Sequence, residues 1–145
     1  MRLIVLTIVS LTMPVAAWAG GTKPVTDAAT LKECGACHMA FQPVFLPADS
    51  WRKLMAPEQL SRHFGDDASL PEPVRKQIED YLAANASQGW MARTEALRIT
   101  ETPYWLKEHR STKVKPQAFL SPKVKSKANC QACHKEAQQG LYEDD

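Results

Sequence analysis

The sequence predicts an all-α fold of short helices joined by long loops. Three observations point to it. No stretch alternates apolar and polar residues for long enough to make a half-buried strand, apolar residues recur at helical spacing in short windows, and ten prolines divide the 145 residues into brief segments. The length suits one ordinary domain or two very small ones. With 18 Lys+Arg against 16 Asp+Glu, the formal net charge is +2. That balance excludes a nucleic-acid binder driven by bulk charge, and it excludes an acidic disordered tail protein.

Met1-Arg2 is a short basic start, followed by the apolar run from Leu3 to Leu11 and the small-x-small pattern Ala17-Trp18-Ala19. This is the pattern of a secretory signal peptide, residues 1–19, cut after Ala19. As a membrane anchor the run falls short of the ~20 residues a spanning helix needs, and Pro14 interrupts its end. The expected mature chain therefore starts at Gly20, has no membrane span and resides in the periplasm. Loss of Arg2 leaves 17 basic and 16 acidic side chains, a net charge of +1. Export permits disulfides, so the use of the cysteines rests on their motifs.

Along the mature chain, Thr26 or Asp27 is positioned to cap a first helix running through Ala28, Leu31 and the Cys34–His38 segment. Pro43 and Pro47 bracket a loop, after which Asp49 or Ser50 caps a short helix carrying Trp51, Leu54 and Met55. A further short helix is expected over Pro57 to Phe64, ended by Gly65-Asp66-Asp67. From Pro71 or Glu72 to Ala86 lies the clearest amphipathic helix, with Val74, Ile78, Tyr81 and Leu82 forming one apolar stripe. Ser87-Gln88-Gly89 breaks the pattern before a helical stretch from Trp90 to Ile99. Thr102-Pro103 is a cap followed by proline at the first helical position, opening a helix through His109. Arg110 to Lys127 is basic and poor in apolar residues, an extended loop; a final helix carries Cys130 to His134, and Glu143-Asp144-Asp145 is a solvated acidic end.

Cys34-Gly35-Ala36-Cys37-His38 and Cys130-Gln131-Ala132-Cys133-His134 are two copies of C-x-x-C-H, the attachment motif of c-type haem. On a helical turn the two thiols reach the two vinyl groups on one edge of a porphyrin and form thioethers. The histidine that follows then presents its imidazole to the iron from the same side of the ring. Three other uses of the cysteines compete. A zinc site would need the pairs far closer than their 92-residue gap. A thioredoxin-like redox pair needs a βαβ context that the pattern lacks. Disulfides within each C-x-x-C close tiny loops and stabilise little. None of the three explains a histidine directly after both pairs, so the predicted cofactors are two c-type haems. Cys34, Cys37, Cys130 and Cys133 are then the covalent attachment points, and His38 and His134 the proximal iron ligands.

Each iron has a sixth position, which His or Met fills in such proteins. The remaining histidines are His63 and His109; in isolation each reads as a surface or helix-end residue. Of the mature methionines, Met39 adjoins His38 on the wrong side of the ring, while Met55 and Met91 sit among apolar residues where core packing is the simpler role. His63 and His109 supply one distal ligand per haem. The local pairing joins His38 with His63 and His134 with His109, and the sequence leaves a crossed pairing open. Trp51, Phe64, Trp90, Tyr104 and Trp105 are candidate walls for the macrocycles, though ordinary core use serves each of them as well. Lys113, Lys115, Lys123, Lys125 and Lys127 form a basic run that reads equally as a docking patch for an acidic partner or as a solvated loop.

With both axial positions occupied by imidazole, neither iron offers an open site, and outer-sphere electron transfer is the expected activity. Imidazole in place of a thioether also lowers the potential. The expectation is a low-potential electron carrier acting between other redox proteins. The rival is a haem enzyme, a peroxidase or reductase, in which one iron loses its distal histidine.

Several segments carry a family resemblance. Glu33 to His38, the Phe41 to Trp51 stretch with Leu46-Pro47-Ala48, Arg62 to Leu70, Arg98 to Pro103 with the downstream His109, and Cys130 to His134 together resemble the bacterial dihaem cytochrome c family, abbreviated DHC. The resemblance covers essentially the whole mature chain. It implies a periplasmic, bis-histidine, two-haem electron-transfer protein whose N-terminal part is similar to a class I cytochrome c. The corresponding division is an N-terminal haem domain over residues 20–95 and a C-terminal haem segment over 96–145. Partners the resemblance implies are a monohaem oxygen-binding cytochrome c and a membrane cytochrome b. Four haem propionates would make the mature holoprotein mildly acidic overall.

A mature chain of 126 residues (145 less 19) with short, proline-bounded helices has a modest core of its own, and two macrocycles would supply apolar surface for it to pack against. The haem-free protein is therefore expected to show a weak near-UV circular dichroism spectrum; a native-like one would contradict this.

Overall fold

The computed structural model describes residues 21–143. The predicted signal segment 1–19, its cleavage after Ala19, and Asp144 and Asp145 of the acidic end lie outside the described residues. Five α-helices form: α1 (Ala28–Cys34), α2 (Ala48–Leu54), α3 (Pro57–Leu60), α4 (Glu72–Ala84) and α5 (Pro103–Glu108). Six 3₁₀ turns and irregular chain connect them, and among the described residues no strand forms beyond a single bridge pair, His63 with Asp66. The fold is all-α with much loop, and no described helix is long and apolar enough to cross a membrane.

The helix starts follow local chemistry. At α1, Asp27 Oδ1 accepts from the Thr30 backbone N–H at 2.8 Å and from the Thr30 hydroxyl at 2.8 Å. Its other carboxylate oxygen accepts from Gln77 Nε2 of α4 at 2.9 Å, tying the two helices together. These donors hold the Asp27 carboxyl below the ordinary aspartate value, the Thr30 N–H contributing most. At α5, Thr102 Oγ1 accepts from Trp105 N at 3.2 Å and donates to Ile99 O at 2.8 Å. Pro103 takes the first helical position, where a missing N–H costs nothing.

α4 is the longest helix and carries the expected stripe. Ile78 and Leu82 are fully buried, with Val74 and Tyr81 packed at the margin. Against them sit Trp51, Leu54 and Met55 from α2 and its C-cap, Leu60 from α3, and Leu46 from the preceding loop. Trp51 Nε1 donates to Pro43 O at 2.7 Å, so the buried indole leaves no orphan donor. Arg75, also buried, donates to the Met55 carbonyl at 3.0 Å while Glu72 and Glu79 accept from its guanidinium. That triad satisfies the C-cap carbonyl of α2 with a charge held in place by its own helix.

Several elements depart from their expected bounds. α1 stops at Cys34, so the rest of the first C-x-x-C-H segment forms a turn. α2 begins at Ala48 behind Pro47, with Asp49 in its first turn and no side-chain cap. α3 ends at Leu60 because the Leu60 carbonyl is taken by His63 N at 3.2 Å and Ala68 N at 2.9 Å, which turns the chain back on itself. α4 ends two residues early, at Ala84.

No helix spans Trp90 to Ile99. Gly89 has φ +64°, Gly89–Ala92 is one 3₁₀ turn, and the Thr94 hydroxyl accepts from Ala96 N at 3.1 Å in place of a helical carbonyl. The basic segment is a chain of turns around a 3₁₀ turn at Pro116–Leu120 rather than extended chain. Residues 130–134 form a 3₁₀ turn, Cys130–Ala132, closed by one helical bond from His134 N to Cys130 O at 2.8 Å. A single turn with one such bond carries the full cost of helix nucleation and gains nothing from propagation.

The two ends of the described segment meet. Thr22 N donates to Gly140 O at 2.8 Å, and buried Gln42 Nε2 donates to Ala137 O at 2.8 Å while its carbonyl accepts from the Tyr142 hydroxyl. Gly140, at φ +85°, has Thr22 O where a Cβ would lie.

Ile78→Ala is expected to cost about 2–4 kcal/mol through the cavity it leaves between α2 and α4, read as a lower denaturation midpoint of the holoprotein. Asp27→Ala is expected to cost about 1 kcal/mol at neutral pH. Because the folded carboxyl titrates below the unfolded value of 3.8, that contribution is complete above 3.8 and is lost as pH falls through the folded value. The gap between wild type and Asp27→Ala should therefore close in acid; a gap independent of pH would contradict the carboxylate cap.

Candidate metal centres

Cys34 closes α1, and Cys37 and His38 follow on the turn beyond it. All four cysteines carry free sulfurs, Cys34 and Cys130 partly buried, Cys37 and Cys133 exposed. Burial pushes the Cys34 and Cys130 thiols up to about 11. Among the described residues no group of three or more His, Cys, Asp or Glu side chains gathers as a bare metal ion would require.

The four histidines come together as two local pairs. The His38 and His63 rings lie 6.2 Å apart between centroids with their planes 19° apart, and the His109 and His134 rings lie 6.1 Å apart with planes at 88°. Two metal–imidazole bonds of ~2.0 Å, with ~1.1 Å from each coordinating nitrogen to its ring centre, span ~6.2 Å. Both pairs match that span, and the local pairing is the one the structure brings together.

The ring nitrogens are arranged to suit a metal. His38 Nδ1 lies 2.7 Å from Met39 O and His109 Nδ1 lies 3.0 Å from Trp105 O. A carbonyl only accepts, so both Nδ1 atoms carry the proton and both Nε2 atoms offer a lone pair. His63 Nδ1 is buried and has no hydrogen-bond partner. Burial, followed by the influence of His38, holds the His63 imidazole below its ordinary pKa, which favours the neutral form. His63 stands on a tight turn in which Phe64 has φ +53° and Gly65 φ +116°, the second a conformation that favours glycine. Arg98 covers the outer face of Phe64, 3.9 Å from the ring centre.

A cavity of about 950 Å³ is lined by Cys34, Cys37, His38 and His63 on one side and reaches Trp105 and Cys130 on the other. That volume is at the upper end of the ~300–1,000 Å³ of ligand pockets. The cavity and the His38–His63 span suit one haem, while at the second motif the fit rests on the His109–His134 span, since His109, Cys133 and His134 are not part of that cavity's lining.

Of the expected aromatic walls, Trp51 and Phe64 line the cavity, and Trp105 both lines it and stacks on His109 at 4.3 Å. Trp90 packs instead against Tyr104, at 5.9 Å, and is 53% exposed. Sequence reasoning missed three rings that touch the histidines. Phe41 stacks on His38 at 4.7 Å, Phe119 lies 6.1 Å from His109, and Tyr142 lies 5.5 Å from His134. Phe119 sits in what reads as a solvated loop and Tyr142 in a terminal tail, and nothing local in the sequence marks either. Met55, as expected, belongs to the helical core. In the basic run, Lys113 pairs with Glu108, and Lys127 lies over Trp105 at 5.8 Å.

The dihaem cytochrome c family matches residues 30–142. Among solved structures, DHC purified from Rhodobacter sphaeroides is similar, at 46% identity over 81% of this chain and 98% of that one, with a TM-score of 0.71. A diheme cytochrome c from Rhodobacter sphaeroides is 43% identical over 83% of this chain and 99% of that one, with a TM-score of 0.73. The diheme cytochrome sb-DHC of Shewanella baltica OS155 is 37% identical over 80% and 86%, with a TM-score of 0.68. No curated protein sequence matches the chain. With the family matched over nearly all the described chain and the fold shared at these identities, the chain belongs to the dihaem cytochrome c family, whose cofactors are two c-type haems.

Proposed function

We propose that this electron-transfer cytochrome is a low-potential carrier in the periplasm, with both irons held between two histidines. Cys34 and Cys37 attach one haem and Cys130 and Cys133 the other. His38 with His63, and His134 with His109, are the axial ligands. The observation that carries this reading is the pair of imidazole spans, 6.2 and 6.1 Å, each the distance that one metal between two rings requires.

Each haem, when bound, supplies a one-electron ferric–ferrous couple. The protein's part is to keep both axial positions closed and rigid. Phe41 and Trp105 stack on His38 and His109, and the Met39 and Trp105 carbonyls hold the Nδ1 protons of those same rings. Fixed ligands keep reorganisation small, and the buried apolar wall formed by Leu46, Trp51 and Leu54 excludes water from the first pair. Imidazole on both faces sets the potential low, and carbonyl hydrogen bonds at Nδ1, which make the ligand more basic, lower it further.

The exposed lysines 115, 123 and 125 flank Leu120, which is 82% exposed. This basic segment suits an acidic redox partner, with the lysines steering encounter and the leucine giving an apolar contact. A monohaem oxygen-binding cytochrome c and a membrane cytochrome b, the partners the family resemblance implies, are the first to test. Residues 1–19 would direct export and be removed.

Carbon monoxide tests the ligation. Reduced wild-type protein is expected to bind none, whereas His63→Ala and His109→Ala should each bind one equivalent. In a potentiometric titration, His63→Met should move one midpoint upward and leave the other in place. Carbon monoxide binding to the wild type would favour an enzyme with an open iron.

A further inference from the structure

The two histidine pairs are matched in span but opposed in orientation: the His38 and His63 planes are 19° apart, the His109 and His134 planes 88°. Building on the bis-histidine ligation proposed above, we infer that Trp105 is a positioning residue that holds the His109 ring crosswise to His134 and so makes the two irons electronically unlike.

Trp105 grips His109 at two points. Its indole stacks on the imidazole at 4.3 Å and 11°, which sets the tilt of the ring. Its carbonyl accepts from His109 Nδ1 at 3.0 Å, which sets the rotation of the ring in its own plane. Trp105 is itself held. It is buried, its N–H donates to Thr102 Oγ1 at 3.2 Å, and Phe119 packs on its ring at 5.6 Å. His134 has a separate support in Tyr142, 5.5 Å away and tied through its hydroxyl to buried Gln42. The two rings thus meet supports from different parts of the chain. In the first pair, His38 is stacked on Phe41 at 21° and nearly parallel to His63.

The consequence follows from orbital symmetry. An imidazole ligand interacts through its π system with whichever iron dπ orbital lies perpendicular to the ring. Parallel rings act on the same orbital and split the pair. Crossed rings act on one each and leave the two nearly equal in energy. A ferric low-spin iron between crossed rings keeps more orbital angular momentum, and its g tensor is far more anisotropic.

Low-temperature electron paramagnetic resonance of the oxidised holoprotein tests this. The wild type is expected to give two unlike low-spin signals: one with three resolved g values, and one dominated by a single isolated low-field feature. Trp105→Phe retains a stacking ring and the backbone carbonyl and should keep both. Trp105→Leu removes the stack and should shift or spread the isolated feature toward the resolved form, while the other signal, whose His38 ring stacks on Phe41, keeps its three resolved g values. Two like signals in the wild type would overturn the inference whether or not the leucine variant folds, as would a Trp105→Leu spectrum superimposable on the wild type. A high-spin signal in the wild type would overturn the ligation itself, and with it the orientation built on that ligation.

Discussion

The arrangement of this chain turns on a distance. Two imidazoles that share one metal stand about 6 Å apart between ring centres, and the fold sets four histidines from four segments at that distance twice, 6.2 and 6.1 Å. His38 is placed by the turn after α1, and His63 by the left-handed turn after α3. His109 is at the C-cap of α5, and His134 on the short turn of the second motif. Much of the remaining structure reads as support for those placements: Thr102 starts α5 at the right residue, and the Leu60 carbonyl, capturing Ala68 N, folds the His63 loop back on the core.

The two centres are supported in different ways. Around the first, the helices make a core of their own, with Ile78 and Leu82 of α4 against Trp51 and Leu54 of α2, and Arg75 closing the end of α2. Around the second, regular structure is sparse and the histidines are held by ring contacts with Trp105, Phe119 and Tyr142. A segment with so few buried side chains gains little from the hydrophobic effect, so a covalently attached macrocycle contributes proportionally more to its order. Gln42 links the halves: it is buried beside the first motif's segment, yet it bonds to Ala137 and Tyr142 just past the second.

How much was legible in the sequence varied with the range of the interaction responsible. The α4 stripe and the Thr102-Pro103 cap were readable because a helical face and a capping hydroxyl are local. The stretch from Trp90 to Ile99 misled because its apolar spacing suggests a helix, while Gly89 and the Thr94 hydroxyl divert the backbone into turns. The second C-x-x-C-H segment misled for a related reason: it makes one helical bond, His134 N to Cys130 O, and a lone turn does not propagate into a helix. Phe119 and Tyr142 were invisible because their role is contact with histidines brought near only by the fold.

By itself, then, the sequence determined the chemistry of attachment, two five-residue motifs for two c-type haems, together with two further histidines that on the proposed ligation would divide evenly between the irons. It left open which distal histidine serves which motif and how the rings are turned. Those are relations between segments distant along the chain, decided only where α3, α5 and the two motif turns pack. The tertiary structure brings together the local pairs, and sets one pair of rings nearly parallel and the other crossed. The orientation of each ring follows from whichever carbonyl and aromatic neighbour the fold delivers to it, and a linear sequence does not contain those neighbours.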